Sequence, residues 1–220
     1  MNNIVVISPH PDDETLGAGG TLLKEKSLGS KIHWLIVTNI CTEEGWNKDL
    51  VFKRKKEIEV VNKKYNFDSF TDLEIPTTKL DNYPILTIIE KIKKVILQIK
   101  PDTIFMPHYS DIHTDHQVVF KASIACTKWF RFPFIKKCYA YETLSETHWS
   151  QNNEFFKPNV FVDISSFIDQ KIEIMKIYES EIENFPNPRS ELSIRALATF
   201  RGAMSGFHSA ESFQLLFDRS

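Results

Sequence analysis

The chain has little cysteine: Cys41, Cys126 and Cys138 are the only three among 220 residues. An odd, widely spaced set gives no disulfide framework and suits a reducing compartment, so a cytoplasmic location is expected. No apolar run is long enough to span a bilayer, which excludes stable membrane insertion as an expectation. The N-terminus runs straight into apolar residues with no basic leader, so no signal peptide is expected. An excess of one charge is also missing. Twenty-seven basic and 29 acidic residues leave a formal net charge of −2, which provides no footprint for nucleic acid. The basic runs Lys53-Arg54-Lys55-Lys56 and Lys91, Lys93 and Lys94 fall in helical patterns and read as solvated helix faces. Internal repeats and low-complexity segments are absent.

What remains is an ordinary globular composition, 42% hydrophobic and 25% charged. The length suffices for one core, and a single domain over residues 1–220 is expected. Apolar runs predict strands over 4–8, 32–38, 67–75, 103–107, 138–143 and 159–164. Helical periodicity predicts helices over 15–28, 49–65, 86–99, 115–129, 166–183 and 190–203, the first stopped by Gly29. This alternation predicts a Rossmann-like three-layer α/β/α sandwich with a mostly parallel sheet. Ligands of such sheets bind beyond the carboxyl ends of the strands.

Two clusters of chemistry-bearing residues sit at such ends. Ser8-Pro9-His10-Pro11-Asp12-Asp13-Glu14 follows the first strand, and Pro107-His108-Tyr109-Ser110-Asp111-Ile112-His113-Thr114-Asp115-His116 ends the fourth. Thr114 and Gln117 fit a capping box, with Thr114 as N-cap. Acids at a helix start are explained by the helix dipole alone. A histidine between two prolines, and a second His/Asp cluster at another strand end, are not. Imidazoles and carboxylates without cysteine are the usual ligands of a catalytic Zn²⁺, and the same set suits Fe²⁺. Spacing alone does not say which aspartate binds. His33, His148 and His208 read as packing or surface residues.

The pairing of PHPDDE with HTDH resembles the LmbE-like (PIG-L) family of metal-dependent N-acetylglucosamine deacetylases, and the resemblance covers nearly the whole chain. Arg54-Lys55-Lys56-Glu57 is similar to the family's Arg-x-x-Glu. Tyr141-Glu142, the segment Pro158 to Ile164, Lys171, Arg201-Gly202 and Ala210-Glu211-Ser212-Phe213 are similar to later family motifs. The resemblance implies His10, Asp13 and His116 as metal ligands and Asp12 as general base. It implies His113 as the histidine that stabilises the tetrahedral intermediate or protonates the leaving amine, and Asp115 as the carboxylate that orients and charges His113. Arg54 is implied near the substrate. The chain departs from the family pattern in the loop Thr38 to Gly45 and at Glu181, where relatives often carry glutamine.

The expected activity is zinc-dependent hydrolysis of the N-acetyl amide of an amino sugar, with Trp149 as a candidate wall for the sugar and Trp46 and Trp129 as further candidates. The alternatives are an amidase acting on another sugar-linked amide, such as a thiol-sugar conjugate, and a metal- or sugar-binding relative without catalysis. The expected partner is a small-molecule amino sugar, and assembly into a homo-oligomer is implied by the resemblance. For Trp129 the core is the stronger reading. Phe130, Phe132 and Phe134 are left between core, pocket mouth and subunit contact.

Overall fold

A computed structural model describes residues 1–149 and 155–219. Its strands are β1 (Asn3–Ser8), β2 (Lys31–Asn39), β3 (Ser69–Pro76), β4 (Thr103–Pro107), β5 (Lys137–Tyr141), β6 (Val160–Asp163) and β7 (Ala210–Asp218). Its helices are α1 (Asp13–Ser27), α2 (Lys48–Tyr65), α3 (Ile85–Ile99), α4 (Thr114–Ala125), α5 (Ile168–Met175) and α6 (Glu191–Ser205). The strands form one sheet in the order β3-β2-β1-β4-β5-β7-β6. The first five are mutually parallel, and β7 runs antiparallel to β5 and β6.

The alternation of side chains along each strand divides the core into two layers. From β1, Ile4 and Val6 face a cluster with Leu16, Leu22, Val61, Tyr65 and Ile172. Val5 and Ile7 face the opposite cluster, with Ile88, Ile92, Ile96 and Val119. On α3 the buried residues are Ile88, Ile92, Val95 and Ile96, the spacing of one helix face. Helix α1 ends in a Schellman motif. Gly29 has φ 83°, and the Ser30 N–H donates to Glu25 O at 3.0 Å. Helix α1 also lies very close to the sheet: a Cβ on Gly17 would overlap the Tyr141 ring.

The strand order reverses between β1 and β4, which pair side by side through Ile4–Thr103, Val5–Ile104 and Val6–Phe105. That is the switch point where doubly wound sheets open a crevice. The two sequence clusters therefore leave adjacent strands and meet there.

Four local expectations need correction. The helix expected over 166–183 is α5 alone, Ile168–Met175. Beyond it the chain turns so that Tyr178 is buried and Glu181 reaches Arg54 and Arg189. The N-cap of α4 is His113, not Thr114: its Nδ1 accepts the Asp115 N–H at 3.1 Å, while Gln117 Nε2 donates to Asp111 O at 2.8 Å. Strand β7 has no counterpart among the expected strands. Trp129 is exposed, as is Phe130, whereas Phe132 is buried and Phe134 packs against the same core layer. All three cysteines are free, with Cys126 and Cys138 buried. Among the described residues no helix is long and apolar enough to cross a membrane.

Candidate metal centre and active site

The turn after β1 is strained where the chemistry is densest. Asp12 is 2% exposed and has φ 133°, which a non-glycine residue holds only when its surroundings over-determine it. Four hydrogen bonds do so. The Asp12 N–H donates to Glu14 Oε2 at 3.1 Å. Its carbonyl accepts the Thr15 and Leu16 N–H groups at 2.9 Å. Arg54 Nη1 holds the preceding Pro11 O at 3.0 Å. Glu14 is itself buried; its other partners are Thr15 Oγ1 at 2.6 Å and the Tyr178 hydroxyl at 2.9 Å. Burial pushes its carboxyl up to about 7 despite these bonds. Asp13 and Glu14 do occupy the first turn of α1, so the dipole explanation of the acids holds alongside the chemical one.

Behind this turn, two imidazoles share one carboxylate. Asp13 Oδ2 lies 3.3 Å from His10 Nδ1 and 3.3 Å from His116 Nε2. Each ring anchors its other nitrogen on a different carboxylate: His10 Nε2 on Asp115 Oδ2 at 3.0 Å, His116 Nδ1 on Asp111 Oδ2 at 2.8 Å. Carboxylate–histidine pairs of this kind fix the ring that presents its free nitrogen to a metal. Burial opposes charge on both rings, yet these carboxylates pull His10 up to about 9 and His116 well above its ordinary value. Asp13 is held well below the usual carboxylate range: burial pushes it up, and His116 and His10 outweigh burial. Asp13 Oδ1 is buried without a hydrogen-bond partner, an atom that a cation would satisfy. The donor atoms of His10, Asp13 and His116 lie within 4.8 Å of one another. The residues present fit a divalent cation, and two nitrogens with one carboxylate suit zinc or ferrous iron alike.

The Asp115 carboxylate bonds to His10 and accepts the Thr78 N–H at 2.7 Å. Its hydrogen bond to His113 runs through its backbone N–H, while its carboxylate lies within 4.8 Å of a His113 nitrogen and favours charge on that ring. With Nδ1 of His113 accepting that N–H, the ring carries its proton on Nε2. Burial, followed by repulsion from His10 and His116, lowers the His113 pKa against the pull of Asp115. Asp111, in the same sequence run but assigned no role there, is the residue that orients His116.

A cavity of about 400 Å³ opens in front of this centre, lined by His10, Asp12, Arg54, Thr77, Thr78, His113 and Trp46 among others. Arg54, expected near substrate, lines it but is buried, and its donors are committed to Glu57, Ser180, Glu181 and Pro11 O. It shapes the turn that carries Asp12. Trp149 does not line the cavity. It stands 63% exposed in the single turn Thr147–Trp149, while Trp46 takes the place on the cavity wall. Arg189 was not among the expected site residues. Its Nη1 donates to Asp12 Oδ2 and Glu181 Oε2, both at 2.9 Å, and its Nε to Ser145 Oγ at 3.0 Å. A lone arginine in the Asn-Pro-Arg-Ser run carries no signal that could have placed it beside a partner 177 residues away. Burial pushes the Asp12 carboxyl up to about 8, against the pull of Arg189.

The weaker sequence motifs pair off in space. Arg201 forms a bidentate bridge to Glu142, at 2.8 and 2.6 Å, which also accepts Ser212 Oγ at 2.6 Å. Lys171 donates to Glu211 Oε1 at 2.7 Å and to Leu16 O at 2.9 Å, and Glu211 accepts the Gly20 and Thr21 N–H groups of α1. These buried pairs hold β7, α5 and α6 against the helix that follows the candidate metal-site turn.

The model of one protein family, described as PIG-L, GlcNAc-PI de-N-acetylase, matches residues 5–127. Diacetylchitobiose deacetylase of Thermococcus kodakarensis is 29% identical over 98% of this chain and 84% of that relative. A Bacillus cereus protein named "Probable N-acetyl-alpha-D-glucosaminyl L-malate deacetylase 2" is 23% identical over 82% of this chain and 84% of its own length. Among solved structures, a conserved protein from Thermus thermophilus, TT1542, superposes with a TM-score of 0.80 at 25% identity, covering 100% of this chain and 97% of its own. The family match spans more than half of the sequence and contains both His/Asp clusters: the chain belongs to the PIG-L family of GlcNAc-PI de-N-acetylases and is an N-deacetylase hydrolase.

Proposed function

We propose that this enzyme hydrolyses the N-acetyl amide of an N-acetylglucosamine-type sugar, with a divalent metal ion held by His10, Asp13 and His116 and with Asp12 as general base. The single observation that carries this reading is the shared Asp13 carboxylate, faced by two imidazoles that are each anchored from behind by Asp115 or Asp111. The family's deacetylase relatives support the reaction class. When bound, the metal supplies Lewis-acid polarisation and an acidified water.

The chain's own residues do the rest. Asp12 lines the cavity and takes a proton from the attacking water. Arg189 keeps its carboxylate in one orientation, so proximity rather than search sets the rate of transfer. His113 presents Nε2–H on the same cavity wall and donates to the oxygen on which negative charge develops, a contribution of about 3 kcal/mol for one such donor. The proton held by Asp12 then returns to the departing amine, and the products are acetate and a free amino sugar. The raised Asp12 carboxyl places this base closer to neutrality than an ordinary aspartate, and a cation held by His10, Asp13 and His116 would lower it by charge.

The test is acetate release from N-acetylglucosamine and its disaccharide by chelator-stripped protein reloaded with Zn²⁺ or Fe²⁺, with bound metal counted per chain. Release restored by one equivalent supports the reading. Release indifferent to stripping would refute the metal role. Full metal loading with no release would refute the deacetylase role.

Arg189→Met should lower kcat about 10-fold or more through lost positioning of the base, with bound metal unchanged. The acid limb of the pH–rate profile should move to higher pH, because a cation that favours ionised Asp12 is gone. An unmoved profile with unchanged kcat would remove Arg189 from the mechanism.

A further inference from the structure

The cavity in front of the candidate metal-site turn has a mixed lining. It includes the cations Lys53, Arg54 and Arg189. Each is already paired. Arg54 bridges Glu57 at 3.0 Å and Glu181, Arg189 bridges Asp12 and Glu181, and Lys53 meets Glu179 at 2.5 Å. Withdrawing either arginine to meet a ligand would strand a buried carboxylate, with Glu57 and Asp12 among those exposed to that cost. The carboxylates facing the cavity also repel an approaching anion. Ile40, Trp46 and Leu50 also line it, Leu50 on the same α2 face as Lys53 and Arg54. Trp46 and Leu50 remain 43% and 46% exposed although they line the cavity. An open indole among apolar side chains suits the C–H face of a pyranose ring. Thr77, Thr78 and Ser180 add uncharged polar groups to the same lining.

Resting on the deacetylase reading above, we infer that the substrate is an uncharged oligosaccharide or neutral glycoside, and that Trp46 holds the ring next to the acetylated sugar. Sugars linked to phosphate or to a carboxylic acid are poor substrates, because the described residues of this cavity offer an anion no cation without a carboxylate of its own. Trp46 is then the residue that sets specificity, and it does so by binding rather than by chemistry.

The experiment uses the Zn²⁺-loaded full chain and four probes: N-acetylglucosamine, N,N′-diacetylchitobiose, N-acetylglucosamine 1-phosphate and N-acetylglucosamine 6-phosphate. The disaccharide should exceed either phosphate in kcat/KM by about tenfold or more, as the loss of one stacked ring and the repulsion of an anion together imply. Trp46→Ala should raise the disaccharide KM by about 5–10-fold with kcat little changed, and leave the monosaccharide alone. Lys53→Met, which removes the one cation whose partner lies on the open surface, should change neither sugar. Preference for a phosphorylated sugar, or its selective loss in Lys53→Met, would overturn the inference. So would an equal effect of Trp46→Ala on both neutral sugars. Acetate from none of the four, with metal bound, would instead sink the deacetylase reading and this inference with it.

Discussion

Asp12→Asn is expected to lower kcat/KM by about 10²–10⁴-fold, the usual contribution of a positioned general base, while the protein keeps its metal. The two halves of this expectation rest on different contacts. The Asp12 carboxylate points at Arg189, 2.9 Å away, and is not part of the His10, Asp13 and His116 group. Asparagine keeps the shape and an acceptor for Arg189, so the strained turn survives, but it cannot take a proton. His116→Ala is the counterpart. It removes one of the two nitrogens on Asp13 and strands the buried Asp111 carboxylate, so bound metal should fall together with activity. Metal analysis of the two purified variants beside acetate release separates the roles. Equal metal loss in both variants would show that Asp12 is a ligand and would end its assignment as base.

Arg201→Met is expected to destabilise the fold by about 3–5 kcal/mol, the range for leaving one partner of a buried ion pair unpaired. For a chain of this size that is a fall in Tm of roughly 6–20 °C. The reason is geometric. Glu142 is 4% exposed and accepts two guanidinium bonds from Arg201; its other partners are His148 Nε2 at 3.4 Å and Ser212 Oγ at 2.6 Å. Burial alone would push the Glu142 carboxyl up, yet His148 and Arg201 hold it down at about 2. A depressed carboxyl gives stability that is fully present above its ordinary value near 4.5 and is lost as pH falls from there through about 2. The gap corresponds to about 3 kcal/mol at order of magnitude. In Arg201→Met that carboxyl rises, so acid unfolding should begin at higher pH. Thermal melts of both proteins between pH 3 and 7 check both statements. Glu142→Gln combined with Arg201→Met should recover part of the loss, and failure to recover would place the effect in packing rather than in the pair.

Much of the site is legible in the sequence because its signals are local. A β-branched run followed by His10, Asp12 and Asp13, and another followed by His113, Asp115 and His116, put ligand chemistry at two strand ends. Hydrophobic period distinguishes strand from helix for β1, β2, β4, α1, α2 and α3. The glycine after α1 and the residue types of a metal centre also belong to short stretches of chain. These features follow from backbone sterics and side-chain chemistry within a few residues, so they can be read without knowing what lies across the fold.

The rest is decided by which segments pack together. Strand β7 escapes the alternation rule because its polar residues are buried against polar partners, Glu211 against Lys171 and Ser212 against Glu142. Helix α5 stops short of its apparent periodicity because Tyr178 and Glu181 answer to Glu14, Arg54 and Arg189 rather than to their own helix. Trp46 rather than Trp149 reaches the cavity. The Asp115 carboxylate bonds to His10 rather than to His113, a choice of side-chain placement that residue spacing does not encode. Residue order alone settles the chemistry available at each strand end. The packed fold settles which imidazole meets which carboxylate, because hydrogen-bond and ion-pair partners depend on the placement of whole elements brought together from distant parts of the chain.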